Sequence, residues 1–503
     1  MEGIKRVAAA TMAILLVVLL SGCTRRARPT PTLSQAGLAE VARAAAAATG
    51  AAVQPSATVA LPTAPAVESS ATGVSEAGAL PQPTSGPQVY VVRQGDTLSS
   101  IAARFGTTLN ALKKANQITD ANLLKVGQRL EIPSTQLDAG PALRLLPDSE
   151  FVNSPAYVDF DTDSFVARQG GYLAAYSERV GAKVLSDAEI VERAAHEYSV
   201  GPRLLLAVLE SKSGWVTDPY PSGAARSKPM GYTGGGWQSL FRQLAWAANE
   251  LNRGYYDWRG RGARFITWRS GTAARYDPSL NAATAGLQYF YSLNSNRSAW
   301  NKKVGEGPGS FLAAYRSLFG DPALYAIEPL IASDTALPPL SLPWAAGELW
   351  YYTGGPHGGW GEGSAWAAID VVPAEGYLGC QMASSWARAA AAGRVVDSRD
   401  GVVMIDLDGD GYEQTGWVLL YLHVAKQGRV AKGTDVQQGD RIGHPSCEGG
   451  VSEATHLHFA RKYNGEWIAA DGPLPLVLSG WQFHSEGKSY DGTPTRGTEE
   501  RTA

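Results

Sequence analysis

The chain has 503 residues, about three domains' worth, with 44 Lys and Arg against 47 Asp and Glu; a net charge of −3 gives no electrostatic footprint for nucleic acid. Charged residues are only 18% and glycine fills 56 positions, which excludes a long coiled coil and points to loops and sheets. Three cysteines exclude a disulfide-dense scaffold and any four-cysteine zinc or iron–sulfur site, whereas four of the seven histidines (His423, His444, His456 and His458) share one short stretch.

Residues 1–23 open with Lys5 and Arg6, continue as a mostly apolar run over 7–20 and end Leu20-Ser21-Gly22-Cys23. The run is short for a bilayer span and suits a signal-peptide core. Its ending resembles the lipobox of bacterial lipoproteins. That resemblance implies removal of the signal peptide, lipidation of Cys23 and a membrane-anchored chain in the extracytoplasmic cell envelope. An ordinary secretory signal or an uncleaved anchor would place the chain on the same side. Residues 24–87 are Ala, Thr, Pro, Ser and Gly with almost no aromatic side chain, and read as a disordered tether.

Residues 88–134 form the first folded module. Tyr90 and Val92 alternate as in a strand; Gly95-Asp96 turns, with Asp96 placed to cap a helix bearing Leu98, Ile101 and Phe105. Thr108 opens a second helix with Leu109 and Leu112, and Val126-Gly127-Gln128 turns into Leu130 and Ile132. The βααβ order, with Gly-Asp-Thr-Leu-x-x-Ile-Ala, Leu-x-x-Ala-Asn and Val-Gly-Gln-x-Leu-x-Ile-Pro, resembles the LysM module. The resemblance implies binding of peptidoglycan-type glycans by the two loops that hold Gly95, Asp96, Thr97, Leu98 and Ile118.

Helical periodicity dominates 140–335, over 190–198, 202–210, 238–254, 284–293 and 311–319. Val200-Gly201-Pro202-Arg203-Leu204-Leu205 leading to Glu210-Ser211 resembles the catalytic helix of lysozyme-like lytic transglycosylases. Ala283-Thr284-Ala285-Gly286-Leu287-Gln288 loosely resembles their central Gly-Leu-x-Gln motif, and Ala313-Ala314-Tyr315 resembles their Ala-Ala-Tyr motif but continues as Arg316-Ser317-Leu318 in place of Asn-x-Gly. The resemblance implies a mainly α-helical lysozyme-like domain with Glu210 as a second catalytic acid; a non-catalytic glycan-binding or spacer domain is the competing reading. Trp215, Tyr232, Trp237, Tyr255, Tyr256, Trp258 and Trp268 suit either sugar stacking or a packed core.

From about 340 to 485 the sequence is strand-rich. In Thr455-His456-Leu457-His458-Phe459 the two histidines project to one face and Leu457 and Phe459 to the other. His423 lies on a similar strand two residues after Tyr421, and Asp370 sits opposite Ile369 and Val371. With His357 from a loop, this set suits an open zinc site with spare bases. It resembles the lysostaphin-like zinc endopeptidases of peptidoglycan, in their staphylolysin/beta-lytic branch, through Cys447-Glu448-Gly449-Gly450-x-Ser452, His456-Leu457-His458-Phe459 and Tyr463-Asn464-Gly465. The resemblance implies an antiparallel β domain in which His357, Asp370 and His458 hold Zn2+. It assigns His456 as general base and His423 to the developing oxyanion, with exchange of the two roles left open. Cys380 and Cys447, the cysteines left after Cys23, are expected to pair outside the cytoplasm, and the branch has a disulfide at the second position.

His196, His444 and His484 read as structural. The Asp406-Leu407-Asp408-Gly409-Asp410-Gly411 run resembles the start of a calcium loop but has Trp417 where the twelfth-position Glu is needed, so an acidic hairpin tip is the preferred reading. Residues 486–503 read as a disordered tail. The whole is expected to be a multidomain α+β envelope enzyme that docks on peptidoglycan through LysM and hydrolyses its peptide crosslinks. The alternatives are glycan-strand cleavage through Glu210 and a non-catalytic wall-binding activator of other hydrolases.

Overall fold

A computed structural model describes residues 88–93, 96–120, 124–133, 137–268, 270, 272–376 and 379–502. The signal segment, Cys23, the tether and Gly95 lie outside the described residues.

The first module pairs β1 (Gln88–Val91) with β2 (Arg129–Ile132) antiparallel, from Gln88 opposite Ile132 to Val91 opposite Arg129. Between them run α1 (Leu98–Phe105) and α2 (Leu109–Ala115). Tyr90, Leu98, Ile101, Leu112 and Leu130 form its core, with Ile118 and Leu124 packed against it. Leu98 is therefore a core side chain and does not present itself to a glycan. The cap of α1 is Thr97, whose hydroxyl accepts from Ser100 N at 3.0 Å. Asp96, expected to cap, instead accepts from the Tyr90 hydroxyl and from Arg93 N, both at 2.7 Å.

The middle region is mainly helical, as expected. Its helices include α3 (Asp187–Tyr198), α4 (Pro202–Ser213), α5 (Leu240–Arg259), α6 (Ala282–Ser292) and α7 (Phe311–Phe319). Ser186 and Glu189 cap α3 reciprocally, and Pro202 opens α4 where no amide hydrogen is needed. Leu204 through Leu209 are all buried, because α4 is apolar on every side and runs through the centre of the domain. Helices α5 and α6 meet at glycines: a Cβ on Gly286 would lie 2.8 Å from the Phe151 ring, and one on Gly254 would lie 2.9 Å from the Gly286 Cα. Gly286 thus serves helix packing.

The C-terminal region is built on an eight-stranded antiparallel sheet. Its strands are β3 (Trp350–His357), β4 (Ala368–Pro373), β5 (Gly393–Arg399), β6 (Val402–Asp406), β7 (Trp417–Leu422), β8 (Asp435–Val436) and β9 (Leu457–Tyr463), in the spatial order β8-β5-β6-β7-β9-β4-β3, with Glu466–Trp467 folded back on β9. Period-2 alternation divides its side chains between two cores. Val403, Ile405, Leu419, Tyr421, Leu457 and Phe459 fill the core of the sheet domain. Val402, Met404, Val418, Leu420, Leu422 and Ala460 face the other way and join the core of the middle domain. One sheet face is therefore covered by the middle domain over part of its area.

Polar contacts reinforce that seam. Ser199 Oγ donates to Gly465 O at 2.6 Å, Asn464 Nδ2 to Leu330 O at 2.9 Å, and Trp467 N to the Tyr256 hydroxyl at 3.0 Å. His196 of α3 lies between Asp397 and Glu413 of the sheet domain, at 2.9 and 2.5 Å. Burial alone would lower the His196 pKa, but the charges and hydrogen bonds of Glu413 and Asp397 outweigh it and raise the pKa.

The expected disordered tail is a correction: Gly492–Arg496 pairs with Trp481–Ser485, and Glu499–Glu500 pairs back on it. Thr493 and Thr495 alternate with Gly492 and Pro494 and give no apolar signal; the ribbon is held by backbone pairing, by Phe483 in the sheet-domain core and by the seat of Gly355 against Asp491 and Gly492.

Candidate metal centre

Strand register brings the centre together. His458 on β9 is directly opposite Asp370 on β4, so the two side chains share a face. Ile369 and Val371 turn to the apolar core, as the sequence pattern required. His357, expected on a loop, ends β3 and reaches the same face through two register shifts in the β3–β4 pairing, between Tyr352 and Gly354 and again between Gly354 and His357, because the glycines of β3 pair irregularly.

His423 departs from the expected strand logic. Tyr421 is buried in the sheet-domain core, and plain alternation would send His423 there as well. The chain leaves β7 at Leu422, and His423 adopts φ +66°, a left-handed conformation rare for a non-glycine residue. That turn places its ring 4.4 Å from the His456 ring and 6.4 Å from the His458 ring. Ser446 N, at 2.7 Å from His423 O, pins the turn.

Backbone carbonyls set the proton positions. His357 Nδ1 lies 2.8 Å from Gly355 O, His458 Nε2 3.0 Å from Gly359 O, His456 Nδ1 2.9 Å from Ala454 O and His423 Nδ1 3.2 Å from Glu448 O. A carbonyl oxygen only accepts, so each of these ring nitrogens carries the hydrogen and the other ring nitrogen presents a lone pair. His357 Nε2 and His458 Nδ1 then face each other at 3.0 Å, and they lie 3.3 and 3.2 Å from Asp370 Oδ1. That oxygen is buried and has no hydrogen-bond donor. Three electron-pair donors thus converge with no proton between them, an arrangement that is repulsive unless a cation sits among them. The set of two imidazoles and one carboxylate suits a zinc-type divalent ion and leaves a coordination position open. His456 Nε2 lies 3.7 Å from the same Asp370 oxygen. Burial, and then the neighbouring His456 and His458, hold His423 down at about 3, so it is neutral at pH 7.

Two further features frame the centre. Tyr490, in the C-terminal ribbon, stacks on the His357 ring at 4.1 Å and 18°. Sequence reasoning missed it because it lies in the stretch read as tail. Cys380 and Cys447 form a disulfide. It anchors the segment whose next carbonyl, that of Glu448, orients His423.

The other candidates lie elsewhere. Glu210 is not brought to this site: its carboxylate accepts from Val216 N at 3.0 Å, Thr217 N at 3.1 Å and Thr217 Oγ1 at 2.6 Å, closing the turn after α4. Tyr315, of the Ala-Ala-Tyr motif, donates to buried Glu150 instead. Trp215, Tyr255, Tyr256 and Trp268 are buried, so these four pack the core. Asp406 accepts from the amides of Asp408 and Gly411, and Asp410 from Tyr412 N and Thr415 Oγ1, so the acidic run closes the turn between β6 and β7. His444 packs against Trp386 in a tilted pair at 3.8 Å and His484 contacts Thr495, both outside the cluster.

Three convergent ligands with two spare histidines beside them suit metal-assisted hydrolysis, and comparison with known proteins agrees. Residues 90–133 match the LysM domain, 144–332 the LasA N-terminal domain and 379–470 peptidase family M23. The M23 match includes His423, His456 and His458, whereas His357 and Asp370 lie before it and are joined to them by the sheet. The family matched by the middle region is the LasA N-terminal domain and not the lysozyme-like one expected around Glu210. Protease LasA of Pseudomonas aeruginosa is 25% identical over 395 residues, covering 74% of this chain and 84% of its own. The beta-lytic metalloendopeptidase of Achromobacter lyticus is 28% identical over 160 residues, 30% of this chain and 40% of its own. The N-acetylmuramoyl-L-alanine amidase XlyA of Bacillus subtilis is 49% identical over 63 residues, 12% of this chain and 21% of its own. The chain carries a LysM domain and an M23 peptidase domain and is a homologue of protease LasA.

Proposed function

We propose that this chain is a zinc endopeptidase of the cell envelope that holds peptidoglycan through its LysM module and cuts the peptide crosslinks, glycyl or D-amino-acid bonds. The observation that carries the reading is the convergence of the His357, His458 and Asp370 lone pairs beside two further histidines. Zn2+ held by those three residues would supply a Lewis acid for the scissile carbonyl and acidify a water.

The chain's own groups do the rest. His456 takes the proton of the attacking water at Nε2, the ring nitrogen that presents its lone pair 3.7 Å from the Asp370 carboxylate. It then returns that proton to the leaving amine. His423 is a poor base at its depressed pKa. In the tautomer fixed by Glu448 O its Nε2 accepts and orients the water; the oxyanion contact first expected of it needs the hydrogen on Nε2. Domain limits of 88–134, 140–335 and 340 onward, a lipid anchor at Cys23 and a tether over 24–87 complete the reading. Glycan contact falls to the loops of Asp96, Thr97 and Ile118, where Thr97 is exposed. Anchoring and LysM binding raise the effective substrate concentration at the wall.

The test is mass spectrometry of purified peptidoglycan digested by the protein with Zn2+ present. New peptide amino termini, abolished by His456→Ala, by His357→Ala and by a chelator, are expected. New reducing or anhydro sugar ends abolished by Glu210→Ala, or binding with no cleavage at all, would overturn the proposal.

A further inference from the structure

The loop between the first two ligands is held from outside its own domain. Residues 358–367 link His357 to Asp370, and within them the Gly359 carbonyl receives His458 Nε2, which decides which nitrogen of His458 faces the centre. Within the loop Gly359 N donates to Ala365 O and Ser364 Oγ bridges Trp360 N and Gly361 O, each at 3.0 Å; toward β4, Ala367 N donates to Ala365 O at 2.7 Å and Trp366 O accepts from Ala470 N at 2.8 Å.

Its outer side rests on the middle domain. Asn249 of α5 accepts from Gly363 N at 2.9 Å through Oδ1. Arg261, just past the end of α5, donates to Ser364 O at 3.1 Å and to Gly363 O at 3.4 Å, and is itself steadied by Asp257. The approach is close enough to demand glycine. A Cβ on Gly363 would lie 1.9 Å from the Asn249 carbonyl oxygen, and one on Gly361 2.7 Å from Asn249 Oδ1. The loop's glycines widen its conformational choice, and at Gly361 and Gly363 contacts from the middle domain narrow it.

We propose that Asn249 and Arg261 are positioning residues of the metal centre: the middle domain completes the site by fixing the loop whose Gly359 carbonyl orients His458. The proposal rests on the reading of His357, Asp370 and His458 as ligands. Outer-shell partners of metal-binding histidines typically tune affinity about 10- to 100-fold.

The test measures Zn2+ affinity by competition with a chromophoric chelator, on the full chain and its Asn249→Ala, Arg261→Ala, Asn249→Asp and His357→Ala variants, with thermal unfolding of the metal-free proteins alongside. Asn249→Ala and Arg261→Ala are expected to weaken Zn2+ binding about tenfold. Asn249→Asp keeps the accepting oxygen and is expected to stay within about threefold of the parent. A purely structural role would lower the unfolding temperature of the metal-free protein and leave the affinity unchanged. Parental affinity in Asn249→Ala and Arg261→Ala, with binding lost in His357→Ala, overturns this proposal and leaves the ligand assignment standing. Parental affinity in His357→Ala overturns the ligand assignment, and this proposal with it.

Discussion

Replacing Glu413 by Gln probes the seam between the middle domain and the sheet. Glu413 is 5% exposed; Oε2 lies 3.0 Å from Lys462 Nζ, which is 1% exposed, and Oε1 meets His196 at 2.5 Å and Asn153 Nδ2 at 2.9 Å. Burial alone would raise the pKa of this carboxyl. The charge of His196 and then that of Lys462 outweigh it and hold the carboxyl at about 2, against an ordinary 4.5. Because the folded value is the lower one, the contribution is present above pH 4.5 and is lost as pH falls through about 2. That difference corresponds to about 3 kcal/mol of stability at pH 7. The loss expected from leaving one partner of a buried ion pair alone, roughly 3–5 kcal/mol, agrees. Urea unfolding at pH 7, followed by tryptophan fluorescence, should therefore show Glu413→Gln destabilised by about 3 kcal/mol. Adding Lys462→Met should recover a large part of the loss, because no charge is then stranded. The His196 contribution has the opposite sign. Its folded pKa is raised, so it is full below about 6.5 and fades as pH rises through the folded value. A loss below about 1 kcal/mol for Glu413→Gln at pH 7 would refute the account of this seam as an ion-paired clamp.

Three further outcomes follow from particular contacts. The Asn116 amide donates to Leu112 O at 2.9 Å and Glu131 O at 2.7 Å and accepts from Glu131 N at 2.7 Å, so Asn116→Ala should cost the LysM module about 2 kcal/mol and show as weaker sedimentation with peptidoglycan after mild heating. The disulfide spans 67 residues, for which chain entropy gives about 4 kcal/mol; Cys447→Ser should lower the unfolding temperature and, by freeing the Glu448 carbonyl, reduce turnover more than substrate affinity. Glu210→Gln should lower stability by about 1 kcal/mol, through weaker hydrogen bonds to Val216 and Thr217, and leave peptide release from peptidoglycan unchanged.

The parts of this protein that follow local periodicity were legible in its sequence. His456 and His458 share a face with Leu457 and Phe459 behind them, Asp370 stands opposite Ile369 and Val371, and the LysM elements fall in the expected order, since alternation and helical spacing are properties of a few consecutive residues. The disulfide was legible through compartment and the shortage of other partners. What no short window contains is pairing over distance. Register shifts in β3 bring His357 beside Asp370, a left-handed turn rescues His423 from the wrong side of its strand, and the ribbon that carries Tyr490 forms by backbone pairing without an apolar pattern. The Glu210 helix shows the converse: a local resemblance whose carboxylate, once folded, serves the adjoining turn. The sheet face that buries Val418 and Leu420 against the middle domain was decided only in three dimensions, because alternation tells that two faces are apolar and not what covers each.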